Sequence, residues 1–149
     1  MLEQLAEETC PAGSVIFAGW VKDTDSFYNA IDVNMLTSLS EGSPYALVEG
    51  ARMRCATIAT SVGGIPYMME SGVTGLLFTP RDVDTLTAYM VRLVQNPAFR
   101  KQLGQNFYEK AERVYSAEAT VHHQLEIYKT ILRQAQRPKE KRRGVTICG

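Results

Sequence analysis

The sequence has little that would suit it to a metal, a charged surface or nucleic acid. Its three cysteines, Cys10, Cys55 and Cys148, lie far apart, and none belongs to a Cys-x-x-Cys or a Cys/His pattern. They predict reduced thiols in a cytoplasmic protein rather than a zinc site or a disulfide framework. Sixteen basic residues balance sixteen acidic ones, so no net charge attracts the chain to nucleic acid or to an anionic bilayer.

Long apolar runs are also missing. No segment approaches the roughly 20 apolar residues that a membrane helix needs. The first residues, MLEQLAEETCPAGS, carry early glutamates and no apolar run flanked by basic residues, which argues against a secretory signal. A Gly-x-Gly-x-x-Gly turn after an early strand is absent too, which disfavours a dinucleotide-dependent oxidoreductase. A chain of 149 residues of which 45% are hydrophobic is typical of one soluble globular domain with one core.

Short β-like runs alternate with helical patterns along the chain. We predict strands over residues 15–18, 32–36, 56–60 and 75–78, and helices over 2–8, 23–30 and 44–52, with a further short helix opening at about residue 65. Three amphipathic helical patterns then fill the C-terminal third. This order predicts an α/β fold, a Rossmann-like parallel sheet of about four strands flanked by helices. We assign residues 1–136 to this domain and 137–149 to a basic flexible tail, because the helical periodicity is lost from residue 133 onward and positive charge is concentrated there. The alternative, an arm that binds nucleic acid, is disfavoured because the run has no aromatic residue to stack bases.

The segment SLSEGSPYALVE, residues 38–49, places a polar loop between a strand and a helix. Ser43 is predicted to cap the helix, and Pro44 to occupy its first turn, where a missing N–H costs nothing. A helix that begins at the carboxyl end of a parallel strand offers free N–H groups and a positive dipole end. Gly42 allows a ligand to approach the backbone closely. A diphosphate is therefore predicted to bind against residues 42–45.

Two carboxylates flank this helix start. Glu41 lies in the loop and Glu49 in the second turn of the helix, eight positions later. Carboxylates accept hydrogen bonds from the vicinal hydroxyls of a ribose or a hexose, so the pair can serve two ends of one extended ligand. The alternative is that both are ordinary surface carboxylates.

The order Glu41-Gly42-Ser43-Pro44 with Glu49 resembles the Glu-x7-Glu motif of retaining GT-B glycosyltransferases, the glycosyl transferases group 1 family. Stretches at 15–19, 28–33, 58–66 and 72–77 resemble further landmarks of that family in order and spacing. The chain thus resembles the later part of the C-terminal, donor-binding domain of such an enzyme. One departure is Tyr67, which stands where the family usually has glutamate.

The resemblance implies a donor site and a reaction. It implies transfer of a sugar from a nucleotide-diphosphate sugar, such as a UDP-sugar, to a glycan or glycolipid acceptor, as in polysaccharide biosynthesis, with retention at the anomeric carbon. Glu41 would be the catalytic residue and contact the donor sugar, and Glu49 would bind the ribose. The remaining implied donor-binding residues are Gly42, Ser43, Pro44 and Tyr45 around the phosphates, and Gly63 and Gly64 at the border of the cleft. No cofactor and no metal are expected.

Family members also carry a separate N-terminal acceptor domain, and a Gly-rich turn with an Arg and Lys clamp, neither of which is found before Met1. We therefore expect the isolated chain to lack transferase activity. Its first strand would pair beside residues 33–36 or leave a sheet edge open to self-association with a second copy. The alternative function is a noncatalytic Rossmann-like scaffold or interaction domain. The full-length enzyme is expected in the cytoplasm, with a peripheral membrane association left open.

A histidine pair in the last helical pattern invites another interpretation, as a base or a metal site. His122 and His123 are adjacent, and adjacent side chains of a helix face different directions. Surface histidines are the preferred prediction.

Overall fold

The structure, a computed structural model, describes residues 1–135. Its helices and strands are, in chain order, α1 (Leu2–Thr9), α2 (Thr24–Asn29), β1 (Val33–Leu36), α3 (Tyr45–Arg52), β2 (Ala56–Thr60), α4 (Ile65–Met68), β3 (Leu76–Phe78), α5 (Val83–Gln95), α6 (Pro97–Tyr115) and α7 (Ala117–Ala135). The chain divides into two compact units, one over Met1–Tyr108 and one from Glu109 onward. The predicted basic tail at 137–149 lies outside the described residues.

The first unit is built on a parallel sheet of three strands in the order β1-β2-β3. Strand β1 pairs with β2 from Val33 opposite Ala56 to Leu36 opposite Ala59, and β2 pairs with β3 from Ile58 opposite Leu76 to Thr60 opposite Phe78. Along the chain, helix α3 connects β1 to β2, and helix α4 lies between β2 and β3. Because parallel strands end at the same edge, the loops after β1 and β2 leave the sheet side by side.

The core of this unit lies between the sheet and the helices that follow it. Its buried members are Ala56, Ile58, Leu76, Phe78, Leu93 and Leu103. All five residues of β2 are buried, because this strand is flanked on both edges by other strands and covered by helices. Helix α5 begins where the Asp82 carboxylate accepts a hydrogen bond from the Thr85 amide at 3.0 Å, the arrangement of a side-chain N-cap.

The first predicted strand, at residues 15–18, does not form, so the prediction of about four strands is wrong by one. Residues 15–19 have no regular structure, and Val15, Ile16 and Phe17 are 44%, 85% and 48% exposed. In the described chain β1 pairs only with β2, so the segment does not pair beside β1 as one expectation had it. A strand needs a partner for its backbone groups, and Gly13 and Gly19, both at positive φ, turn the chain on either side of this segment.

The second unit contains the end of α6 and the whole of α7. The prediction of helices through the C-terminal third is confirmed. His122 and His123 are both exposed, as expected for surface histidines. Among residues 1–135, no helix is both long and apolar enough to span a bilayer.

Candidate functional site

The loops after β1 and β2 lie against each other at the carboxyl edge of the sheet. The first, residues 37–44, carries Glu41 and Gly42, and the second, residues 61–64, carries Gly63 and Gly64. The Gly64 amide donates a hydrogen bond to the backbone oxygen of Glu41 at 3.2 Å. The structure therefore brings together two segments that are about twenty residues apart in sequence.

This loop contact requires both glycines of the second loop. A Cβ on Gly63 would collide with the backbone oxygen of Glu41, and a Cβ on Gly64 with that of Gly42. Gly63 also adopts a φ of 52°, a left-handed conformation that other residues rarely take. The predicted tight loop is thus present, and its glycines hold the Glu41 segment by close backbone packing.

Hydrogen bonds from two hydroxyl groups hold the loop that carries Glu41. The Thr60 hydroxyl, at the end of β2, donates to the backbone oxygen of Ser38 at 2.6 Å. The Ser38 hydroxyl in turn donates to the Glu41 carboxylate at 2.7 Å. One oxygen of Glu41 is therefore held by the protein, and the carboxylate has a defined orientation. Ser38 and Thr60 were not predicted as site residues, although each is a polar residue at or just after the end of a strand.

Helix α3 begins one residue later than predicted. Pro44 is the N-cap residue, with φ −70° and ψ 119°, and no side chain caps the helix. The prediction that Ser43 caps it is wrong, because Ser43 lies outside the cap position and its hydroxyl instead donates to the Met68 sulfur at 3.7 Å. The first-turn N–H groups of a helix have no intrahelical acceptor, so in the absence of a side-chain cap the start of α3 can donate to a ligand.

Glu49 lies one turn along α3 from this start, on an exposed position. The buried Tyr28 donates its hydroxyl to the Glu49 carboxylate at 3.4 Å. Burial, and then the charge of Glu49, raises the pKa of Tyr28, so its hydroxyl keeps its proton at neutral pH. The carboxylate of Glu49 therefore has a hydrogen-bond donor from α2 and is also accessible to solvent.

Helix α3 is fixed to β1 by a contact that was not predicted from the sequence. The Asn34 amide donates to the backbone oxygen of Ala46 at 2.9 Å. Gly50 packs against the same side chain, since a Cβ there would come within 2.6 Å of the Asn34 nitrogen. A glycine in a helix costs about 1 kcal/mol relative to alanine, and close approach to Asn34 explains its presence here.

Cys55 is buried next to Tyr28, and its thiol has a hydrogen-bond partner. The buried Cys55 thiol donates to the backbone oxygen of Tyr28 at 3.1 Å, and burial raises its pKa, so it packs as a thiol. Within residues 1–135, no three His, Cys, Asp or Glu side chains are grouped as metal ligands would be.

Comparison with known proteins identifies the family. The model of the family described as "Glycosyl transferases group 1" matches residues 1–96, which is more than half of the chain. The chain belongs to this family. Its fold is that of the GT-B glycosyltransferases, so the expected family and fold are confirmed, apart from the number of strands.

Curated relatives of this group 1 glycosyltransferase chain are longer proteins. The lipopolysaccharide core biosynthesis glycosyltransferase LpsE of Rhizobium meliloti is 27% identical over 118 residues, which cover 79% of this chain and 35% of LpsE. The MMP alpha-(1->4)-mannosyltransferase of Mycolicibacterium hassiacum is 32% identical over 106 residues, which cover 70% of this chain and 26% of that enzyme. The chain therefore spans about a third or less of the length of these relatives.

Solved structures agree with this coverage. Sucrose-phosphate synthase from Thermosynechococcus elongatus matches 89% of this chain and 34% of its own length, with a TM-score of 0.80 and 25% identity. HepE of Anabaena, solved in complex with UDP, matches 88% of this chain and 35% of its own length, with a TM-score of 0.79 and 22% identity. At that identity, HepE supports the fold alone.

Proposed function

We propose that this chain carries the nucleotide-sugar donor site of a retaining glycosyltransferase that acts on a glycan or glycolipid acceptor. The observation that carries the proposal is the arrangement around α3: an uncapped helix start at the sheet's carboxyl edge lies between Glu41 and Glu49 and beside the Gly63-Gly64 loop. Ligands of parallel α/β folds bind at this edge.

The proposal gives each part of the site a role. The first-turn N–H groups of α3 and the backbone at Gly42, Ser43, Pro44 and Tyr45 bind the diphosphate, whose negative charge suits the positive end of the helix dipole. As the sugar leaves the diphosphate, negative charge grows there, and the same groups stabilise it. The mechanism invokes no metal ion.

The two carboxylates recognise the two ends of the donor. Glu49 accepts hydrogen bonds from the ribose hydroxyls, and the Tyr28 contact at 3.4 Å limits its rotation. Glu41, oriented by Ser38 at 2.7 Å, contacts the sugar and acts as the catalytic residue. Gly63 and Gly64 border the cleft and keep Glu41 in place.

Sugar transfer in this proposal needs more than the present chain. The chain spans about a third of LpsE, and we assign acceptor binding to a separate N-terminal domain. The edge of β1 that faces away from β2 is where further strands, or a second copy of the chain, would pair. The isolated chain is accordingly expected to bind a donor without transferring its sugar.

Calorimetric titration with UDP, GDP and ADP tests donor binding. UDP is the first candidate because HepE was solved with UDP and with UDP-glucose. We expect one nucleotide to bind, and Glu49→Gln to weaken it by about tenfold to a hundredfold, the effect of losing hydrogen bonds to a charged acceptor. Glu41→Gln should leave nucleotide affinity unchanged and weaken the nucleotide sugar.

The matched control is Glu118→Gln, the same change at an exposed position of α7, which should leave affinity unchanged. If none of the three nucleotides binds, the proposal is contradicted. That result would favour the alternative, a noncatalytic scaffold that keeps the fold without the donor site.

A further inference from the structure

Tyr28 is a buried residue whose hydroxyl contacts a carboxylate of the candidate donor site. It is 8% exposed, and its hydroxyl donates to Oε2 of Glu49 at 3.4 Å. A buried tyrosine usually finds a polar partner for its hydroxyl. Here the partner is the carboxylate to which we assign the ribose, so a residue of the core bonds to a residue that would contact the ligand.

The position of Tyr28 is fixed by further contacts of α2. The Cys55 thiol, directly before β2, donates to the backbone oxygen of Tyr28 at 3.1 Å. The Tyr28 ring packs edge-to-face on Phe27, with ring centroids 5.5 Å apart. At the start of α2 the Asp23 carboxylate accepts a hydrogen bond from the Ser26 amide at 3.1 Å, which caps the helix. The phenol hydroxyl is therefore held in place from the backbone outward.

The backbone of Glu49 is fixed as well. Three residues before it, the backbone oxygen of Ala46 accepts a hydrogen bond from the Asn34 amide at 2.9 Å, and the next residue, Gly50, packs on the same asparagine. The Glu49 side chain itself is long and exposed, and ordering such a side chain on a ligand costs conformational entropy. A fixed hydroxyl that already bonds to one carboxylate oxygen reduces that cost.

We propose that Tyr28 is a positioning residue through which the donor site selects ribose over a pentose without the vicinal hydroxyls. This inference rests on the proposed function, in which Glu49 binds the ribose. With Oε2 held by Tyr28, Oε1 of Glu49 accepts from the ribose in an orientation that the protein has set. Vicinal hydroxyls gain from an oriented acceptor, whereas a sugar without them gains nothing.

Calorimetry with matched nucleotides measures this selection. The unaltered full chain is titrated with UDP, GDP and ADP, and with their dideoxyribose counterparts, which keep the base and the diphosphate but lack both hydroxyls. For the nucleotide that binds, we expect the ribose form to bind more tightly by about tenfold to a hundredfold, the effect of hydrogen bonds to a charged acceptor.

Tyr28→Phe removes the hydroxyl and keeps the ring. It should weaken the ribose form by about threefold to tenfold, the effect of one modest hydrogen bond, and leave the affinity for the dideoxyribose form unchanged. The ratio of the two affinities then falls. A purely structural role of Tyr28 would weaken both forms equally and leave the ratio as it was.

Two variants of Glu49 show whether Tyr28 acts through it. In a Glu49→Ala background, Tyr28→Phe should change the affinity for the ribose form by less than about twofold, because the coupled partner is gone. Glu49→Asp keeps Tyr28 and the charge but shortens the side chain. It should also lower the ratio, since a contact of 3.4 Å is already long for a hydrogen bond.

The matched control is Tyr108→Phe, which removes the hydroxyl of a half-buried tyrosine whose ring packs on Arg54 at 4.0 Å. It should change neither affinity.

The outcomes separate this inference from the donor-site proposal. If a nucleotide binds and Tyr28→Phe leaves the ratio unchanged, selection through Tyr28 is refuted and the diphosphate site stands. Equal affinity of the unaltered chain for both forms refutes it too, as does an effect of Tyr28→Phe that persists without the Glu49 carboxylate. If no nucleotide binds to the unaltered chain, the donor-site proposal fails and this inference fails with it.

Discussion

Strand β2 and the segment at residues 15–18 both contain residues that favour strands, but only β2 forms one. The first, ATIAT, is buried at every position between two other strands. The second, VIFA, is exposed and irregular. Both carry the aliphatic and β-branched residues that favour strands. A strand therefore forms only where it has partners, because backbone N–H and C=O groups need a neighbouring strand and apolar side chains need a layer to pack on.

Truncating one isoleucine in each region tests whether β2 is packed and the segment at residues 15–18 is not. Ile58 is 0% and Ile16 is 85% exposed. Ile58→Ala should lower the free energy of unfolding by about 2–5 kcal/mol, because it leaves a cavity in the core. Ile16→Ala should change it by less than about 0.5 kcal/mol, as for other surface substitutions. Urea denaturation followed by circular dichroism measures both. Equal losses at the two positions would show that the N-terminal segment is packed.

Two glycines of the candidate site, at the carboxyl edge of the sheet, differ in how closely they pack. Gly64 lies against backbone atoms and Gly42 does not. Gly64→Ala places a Cβ against the backbone oxygen of Gly42, and we expect a loss of about 1–3 kcal/mol, typical of overpacking. Gly42→Ala meets nothing within 4 Å, so the fold should keep its stability. The same urea experiment compares them. A harmless Gly64→Ala would mean that the two loops are not in close contact.

The N-cap of α5, the helix that packs on the sheet, makes a stability contribution that depends on pH. Hydrogen bonds from the Thr85 side chain and then from its amide lower the pKa of Asp82 below its ordinary value of 3.8. The folded state therefore binds fewer protons at this group than the unfolded state does. The resulting stability is complete above pH 3.8 and is lost as the pH falls through the lower, folded pKa.

Asp82→Asn removes this titration while keeping a side chain that can cap. We expect the dependence of unfolding free energy on pH below about pH 4 to become shallower, with little change at neutral pH because asparagine caps about as well as aspartate. Urea unfolding at a series of acidic pH values measures it. An unchanged slope would show that the Asp82 cap is absent in solution.

Much of the fold follows from sequence patterns because it depends on local signals. Residues 56–60 form a strand as predicted, since an apolar run between turn residues suffices to mark it, and the helix after Glu41 begins within one residue of its prediction. What escaped prediction depends on distant partners. The segment at 15–18 has strand composition but no partner, and Ser43 is drawn to Met68 rather than to the helix that follows it.

The residues of the candidate site also fall into those that were predicted from the sequence and those that were not. Glu41, Glu49 and the glycine pair were predicted as candidate site residues because their order and spacing resemble landmarks of the family. Thr60, Ser38 and Asn34 are not, because each acts through a hydrogen bond to a segment distant in the chain or folded back on itself. These bonds orient the candidate residues, and only the fold shows which polar side chains make them.

We propose that the start of α3 and the Gly63-Gly64 loop together bind a nucleoside diphosphate. Hydrogen–deuterium exchange with and without saturating UDP, GDP or ADP tests it most directly. With the nucleotide that binds, we expect slower amide exchange confined to residues 41–49 and 61–65. Unchanged exchange there, or protection centred on another part of the chain, would contradict it.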